Sequence, residues 1–272
     1  MLPISVCIPV LNEEKNLPGC LESLKGKFND VVIVDSGSSD ATLSIAEKAN
    51  LTVLNFKWNG AFPKKRNWAL QNHSFKNEWV LFLDADERLT PAFMDELKSK
   101  LDSKMVGFWL RYDNWFMDRQ LHHGDIMRKL ALFKPEAGTY ERFPEDFWSH
   151  LDMEVHEHPV LDGPIEEIFS PLEHRDFRGL ESYIAKHKEY AAWEAKRFQW
   201  LQSDPEAWTS LNKRQQFKYR HLNKWWLGSF YFLISYFLKK GFLDGRVGFR
   251  FSWMKKGYFE DIRRRILSSK TS

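Results

Sequence analysis

Trp79-Val80-Leu81-Phe82-Leu83-Asp84-Ala85-Asp86-Glu87 is an apolar run that ends in two aspartates spaced i, i+2. The run reads as a buried strand. In an extended chain Asp84 and Asp86 project to the same side, just where that strand reaches solvent. Paired carboxylates suit a hard divalent cation, Mg2+ or Mn2+, which takes oxygen ligands and commonly shares its shell with substrate phosphates. The competing structural reading is a solvated strand-to-helix turn, with Thr90 capping a helix that Pro91 begins.

Three further short β-branched runs precede it, at residues 4–10, 31–34 and 51–56, and a fourth strand is expected at 78–83. Helical patterns fall between them at 17–25, 41–49 and 65–72. The order β-α-β-α-β-α-β predicts a parallel sheet covered on both faces, whose ligands bind beyond the carboxyl ends of the strands. Three of those ends are polar: Leu11-Asn12-Glu13-Glu14, Asp35-Ser36-Gly37-Ser38-Ser39-Asp40 and Asp84-Ala85-Asp86. Asp35 can accept hydrogen bonds from a ribose or a uracil N–H, or simply open a turn in which Ser39 or Asp40 caps the next helix. The chain lacks a GxGxxG fingerprint, which argues against a dinucleotide oxidoreductase.

The remainder is helical and basic. Leu180, Tyr183, Ile184, His187, Tyr190 and Ala191 recur at helical spacing and predict packing surface. Asp204-Pro205 reads as the cap and first turn of another helix. From Leu211 onward the chain carries 15 Lys/Arg against 3 Asp/Glu, a net +12, so with +3 overall residues 1–210 hold −9. Trp225, Trp226, Phe230, Tyr231, Phe232, Tyr236 and Phe237 crowd the same region. Basic residues interleaved with aromatics fit an element lying on an anionic membrane surface. The apolar run 225–238 falls short of the roughly 20 residues that span a bilayer. A buried core helix or a single-stranded nucleic-acid surface are the rival readings.

Length and cysteine usage narrow the class. A chain of 272 residues can bury a full core. Cys7 and Cys20 form no CxxC pair or disulfide-like framework, and the amino terminus reads directly as a strand, so a reducing cytosol is expected. His122, His123, His156, His158 and His174 invite a zinc reading, but the spacing is loose and cysteine support is absent.

The sequence resembles glycosyltransferase family 2, the inverting nucleotide-sugar-dependent enzymes of the GT-A fold. The resemblance rests on residues 4–14 (Ile-Ser-Val-Cys-Ile-Pro-Val-Leu-Asn-Glu-Glu), 31–42 and Lys65-Arg66-Asn67-Trp68-Ala69-Leu70, then on Leu83-Asp84-Ala85-Asp86-Glu87. It continues through residues 127–133, Glu154-Val155-His156-Glu157-His158 and Leu161-Asp162-Gly163-Pro164, and more weakly through Gly241-Phe242-Leu243-Asp244-Gly245. The branch it looks closest to holds lipopolysaccharide-core β-1,4-glucosyltransferases.

That resemblance implies an α/β fold, a GT-A Rossmann-like mixed, mainly parallel sheet flanked by helices, with a helical C-terminal extension. Residues 1–176 would form the nucleotide-sugar-binding and catalytic domain, and 177–272 a basic, aromatic extension for membrane and acceptor. The implied reaction moves a hexose, glucose from UDP-glucose, onto a lipopolysaccharide-core or other glycan or lipid-linked acceptor. The enzyme would sit in the cytoplasm, peripheral on the inner face of the cell membrane, with no nucleic-acid partner.

By the same resemblance Pro9, Asn12, Glu13 and Asp35 line the nucleoside pocket and Arg66 approaches the base-side acid or the diphosphate. Arg128 joins the nucleotide-sugar contacts. Asp84 and Asp86 carry the DXD function with Mg2+ or Mn2+, and His174 completes the metal shell, touches the diphosphate or is structural. Members of this branch often show Gln-Lys-Asn where this chain has Lys65-Arg66-Asn67, and Arg for Lys is not a neutral exchange at a phosphate. Glu157, after a strand expected at 153–155, is the candidate base for the acceptor hydroxyl, with Asp152, Glu145 and Asp146 next. A sugar-nucleotidyltransferase would also use such a sheet, but normally with a Gly-rich loop after the first strand. A non-catalytic membrane-tethered binding module would need no intact acid set.

Overall fold

The computed structural model describes residues 1–101, 104–125, 127–142, 148–153 and 158–269. In chain order the strands are β1 (Leu2–Val10), β2 (Phe28–Asp35), β3 (Thr52–Asn55), β4 (Trp79–Phe82), β5 (Glu87–Arg88), β6 (Gly107–Phe116), β7 (Arg119–Gln120), β8 (Met127–Phe133), β9 (Gly138–Tyr140), β10 (Pro159–Leu161) and β11 (Ile165–His174). The helices are α1 (Leu17–Leu24), α2 (Thr42–Lys48), α3 (Lys65–Asn72), α4 (Pro91–Lys100), α5 (Leu180–Ser203), α6 (Pro205–Ser210), α7 (Lys213–His221), α8 (Leu227–Leu233) and α9 (Gly245–Ser268). The chain divides into two compact units. The first holds residues 1–115, 126–147 and 151–177, and the second 116–125, 148–150 and 178–272.

In the first unit the main sheet runs β3-β2-β1-β4-β8-β6-β11-β5. β1, β2, β3 and β4 are mutually parallel, β8 is antiparallel to both β4 and β6, and β11 runs parallel to β6. This is the mixed, mainly parallel sheet of the GT-A class, and strand order reverses at β1, between β2 and β4. Alternation explains how β1 serves two cores: Ile4, Val6, Ile8 and Val10 join one apolar cluster, with Leu17, Leu81 and Phe93, while Cys7 joins another with Val34, Val80, Phe82 and Ala69. Both cysteines are free and buried.

The local signals acted as read. The Thr90 hydroxyl accepts from Phe93 N–H at 3.1 Å, with Pro91 opening α4. Asp204 accepts from the N–H groups of Glu206 and Ala207 at the start of α6. One detail differs: β4 ends at Phe82, and residues 84–86 form a turn rather than extended strand. Glu87 N–H donates to Asp84 O at 2.9 Å, closing that turn. Convergence of the carboxylates therefore comes from the turn, not from strand alternation.

The second unit packs Ala191, Phe198, Tyr219, Leu222, Leu227, Phe259, Ile262 and Ile266 into its own core. The aromatic run is half committed to it. Leu227 is buried, whereas Trp225, Leu233, Phe237 and Leu238 are more than half exposed. Among the described residues no helix is long and apolar enough to cross a membrane.

Candidate active site

The first unit gathers its chemistry at the carboxyl ends of β1, β2 and β4. Asp35, the last residue of β2, is 2% exposed, and its carboxylate accepts from Gly37 N–H at 2.7 Å and Ser38 N–H at 3.0 Å. That turn leaves lone pairs over, since an ionised carboxylate offers about four acceptor sites. Pro9 lies beside Val34 in the sheet. Asn12, at φ 56 in the left-handed region open to Asn, donates N–H to Ser38 Oγ and accepts Ser39 N–H on its side chain. Glu13 N–H donates to Thr42 Oγ1, and its carboxylate accepts from Asn16 Nδ2. The loops after β1 and β2 are thereby knitted together.

The triplet at the start of α3 is anchored residue by residue. Lys65 Nζ donates to Val10 O at 3.2 Å and pairs with Asp152 at 3.2 Å, while its N–H donates to Asp152 O. Asp152 also accepts from the Ser36 hydroxyl. Asn67 bonds both the N–H and the C=O of Tyr140. Arg66 turns to the acid cluster, with Nη2 2.7 Å from Asp84 Oδ1, and not to Asp35.

Ligand atoms of Asp84, Asp86 and Glu87 lie within 4.8 Å of one another, the one such group among the described residues. Glu87 was not singled out in the sequence; it is 0% exposed, and its carboxylate accepts Asp84 N–H. Lys129, also missed, reaches Asp84 Oδ2 at 2.5 Å and pairs with Glu87. Strand alternation accounts for the choice: Lys129 faces the cluster, while its neighbour Arg128, the residue expected at the donor, is over half exposed and pairs with Glu167 at 3.5 Å. His174 ends β11 in register with Glu87, its Nε2 3.5 Å from Asp86 Oδ2.

Charge follows geometry. Burial opposes ionisation of Asp84, but Lys129 and Arg66 outweigh it and hold the carboxyl well below the usual carboxylate range. Burial, with Asp84 and Asp86 adding repulsion, pushes Glu87 up to about 7 despite Lys129. Lys129 is itself held well above its usual value, because Asp84 and Glu87 offset its burial. The three acids thus meet Arg66, Lys129 and His174. Three carboxylates within reach of one another are an oxygen-donor set of the kind that Mg2+ or Mn2+ takes, and His174 lies beside Asp86.

The remaining expectations fall elsewhere. Glu157, Glu145, Asp146 and His156 lie outside the described residues, as does the expected strand at 153–155 apart from Met153, which sits in a bend. The histidines gather no zinc site among the described residues. His123 instead bonds Asp244, which also accepts the backbone N–H groups of 122 and 123. His158 packs beside Trp109 with the ring planes tilted 59° apart, and burial lowers its pKa, with the Arg66 charge adding to the effect.

A profile of Glycosyl transferase family 2 matches residues 5–168, more than half of the chain. The chain belongs to glycosyl transferase family 2. An uncharacterized glycosyltransferase of Rickettsia felis is 24% identical over 99% of this chain and 93% of its own length. The lipopolysaccharide core biosynthesis glycosyltransferase LpsC of Rhizobium meliloti is 29% identical over 60% of this chain and 59% of its own. Some curated relatives are much longer: one that is 37% identical over 102 residues has only 25% of its length spanned. Among solved structures, glucosyl-3-phosphoglycerate synthase from Mycobacterium tuberculosis, in complex with Mn2+, UDP-glucose and phosphoglyceric acid, is 17% identical. That match has a TM-score of 0.42, over 70% of this chain and 78% of that one.

Proposed function

We propose that this family 2 member moves a hexose, with UDP-glucose as donor, onto a lipopolysaccharide-core or other cell-surface glycan acceptor, in one displacement that inverts the anomeric carbon. The observation that carries the reading is the meeting of Asp84, Asp86 and Glu87 with Arg66 and Lys129 beyond the carboxyl ends of β1 and β4, where open parallel sheets bind ligands. The lipopolysaccharide-core acceptor draws support from the name of the Rhizobium relative.

On this reading Pro9, Asn12, Glu13 and Asp35 line the nucleoside, and Arg66 meets the diphosphate from its place on Asp84. Asp86, His174 and Asp84 would hold the Mg2+ or Mn2+. When bound, that cation neutralises charge on the departing diphosphate. Lys129 keeps Asp84 ionised, and Lys65 and Ser36 hold Asp152 beside the donor loops. Glu157 takes the proton of the acceptor hydroxyl. Residues 1–176 act as the catalytic domain and 177–272 as the extension that faces acceptor and membrane. The enzyme works on the cytoplasmic face of the inner membrane as a peripheral protein, through exposed Trp225, Phe237, Leu238, Phe249 and Trp253 among basic residues.

Thermal unfolding across a panel of nucleotide sugars, with and without Mn2+, tests this, because a ligand of the native state stabilises it by mass action. UDP-glucose with Mn2+ should raise the midpoint. Absence of stabilisation by every nucleotide sugar would overturn the reading.

A further inference from the structure

The second unit contains a pocket of about 360 Å³ that the donor chemistry does not use. We propose that it binds a phosphorylated sugar, the phosphate on Arg214, Lys239 and Lys255 and the pyranose ring against Phe230 and Tyr231.

The cations are arranged before any ligand arrives. Asp125 accepts from Lys239 on one oxygen and from Lys255 on the other, so a single carboxylate holds two ammonium groups side by side. Each ammonium has three donors and spends one there. Arg214, exposed at the start of α7, makes no ion pair among the described residues and brings a fork of unused N–H groups to the same pocket. Three cations against one acid leave +2, the charge that a phosphate dianion neutralises, and charge-assisted bonds to phosphate are the strong ones.

The walls select what carries the phosphate. Phe217 and Phe230 sit 5.8 Å apart with their planes 48° apart, and Phe230 meets Tyr231 edge-on at 75°. Rings so tilted leave no parallel slot for a flat base; they make a cup for the C–H face of a saturated ring. Phe217 and Phe230 are each more than a third exposed. A mostly apolar wall that carries a few convergent charged groups is the composition of a small-molecule site.

The backbone around the pocket is unusual in the same place. Ile234, a wall residue, begins a π-helical turn at Ile234–Leu238, closed by Lys239 N–H to Ile234 O at 2.9 Å. Such turns are rare and gather at functional sites. Lys240 follows at φ 60, a left-handed conformation that Lys seldom takes. Asp244 of the Gly241-to-Gly245 segment then secures the loop that leads to Asp125, accepting the N–H groups of His122 and His123, while Lys239 O accepts Gly124 N–H. That motif therefore fixes the segment that delivers Asp125. Under the transferase reading, on which this last step rests, the bound group is a phosphorylated part of the acceptor.

Calorimetric titration of the full chain with glucose 6-phosphate at low salt tests the proposal. Sub-millimolar binding is expected, at least tenfold tighter than glucose. Arg214→Ala and Lys255→Ala should each weaken it by about tenfold or more, the worth of a charge-assisted bond. Arg214 is exposed and makes no ion pair among the described residues, so its variant keeps the test valid if Lys255→Ala unfolds. Undetectable binding, binding indifferent to Arg214→Ala, glucose matching glucose 6-phosphate, or binding only to phosphatidic-acid vesicles would each overturn it. Mn2+-dependent UDP binding by the unaltered protein is read separately: its loss would sink the transferase reading and leave this pocket standing.

Discussion

Lys129→Met tests the charge arrangement that organises the acid cluster. The substitution takes one ammonium from two carboxylates, Asp84 at 2.5 Å and the fully buried Glu87. Unpairing a wholly buried ion costs about 3–5 kcal/mol. Glu87 has an escape, because burial has already pushed its pKa to about 7 and it can take up a proton near neutrality. What remains at pH 7 is the lost charge-assisted contact to Asp84, about 1.5–3 kcal/mol. For a chain of this size that lowers the unfolding midpoint by roughly 3–12 °C.

The pH dependence carries the sharper test. In the variant the folded pKa of Glu87 climbs further above its unfolded value of about 4.5. A carboxyl raised by folding contributes stability below the unfolded pKa and loses it as pH rises through the folded one. The deficit against wild type should therefore be smallest near about pH 5 and grow toward about pH 8. Circular dichroism melts across that range measure it, and adding Glu87→Gln should flatten the growth. A deficit under about 1 °C at neutral pH, or one that does not change with pH, would refute the reasoning.

Asp86→Asn should abolish Mn2+-dependent UDP binding while melting near the wild-type temperature; full turnover in chelator would remove the metal assignment. Glu157→Gln should cut transfer by about 10²- to 10⁴-fold with UDP affinity unchanged, and a loss under about threefold would move the base to another acid. Unaltered protein should sediment with anionic liposomes at low salt and be partly released at high salt. Lys240→Glu, Arg246→Glu and Arg250→Glu together should weaken that binding, since all three are exposed and none belongs to the Asp125 clamp. Indifference of the wild type to anionic vesicles would return the exposed aromatics to an interface with another protein.

Local sequence determined the frame. The β-branched runs, the helical spacing between them and the caps at Thr90 and Asp204 depend on neighbours within a few residues, and they formed β1 to β4, α1 to α4 and α6 close to their expected positions. The family pattern likewise rests on short motifs, so Asp35, Asp84 and Asp86 could be named before any fold was known. Only tertiary structure decided which groups meet them. Lys129 and Glu87 enter the cluster because β8 lies antiparallel beside β4 and because the turn after β4 folds back. His174 arrives through the antiparallel pairing of β11 with β5, and Arg128 is turned away by the same alternation that brings Lys129 in. Those are pairings between strands distant in sequence, set by register and by which face the sheet buries, and no periodicity within a single segment encodes them. The clamp on Asp125 has the same origin, since Lys239 and Lys255 lie more than a hundred residues from it and converge only when the second unit folds.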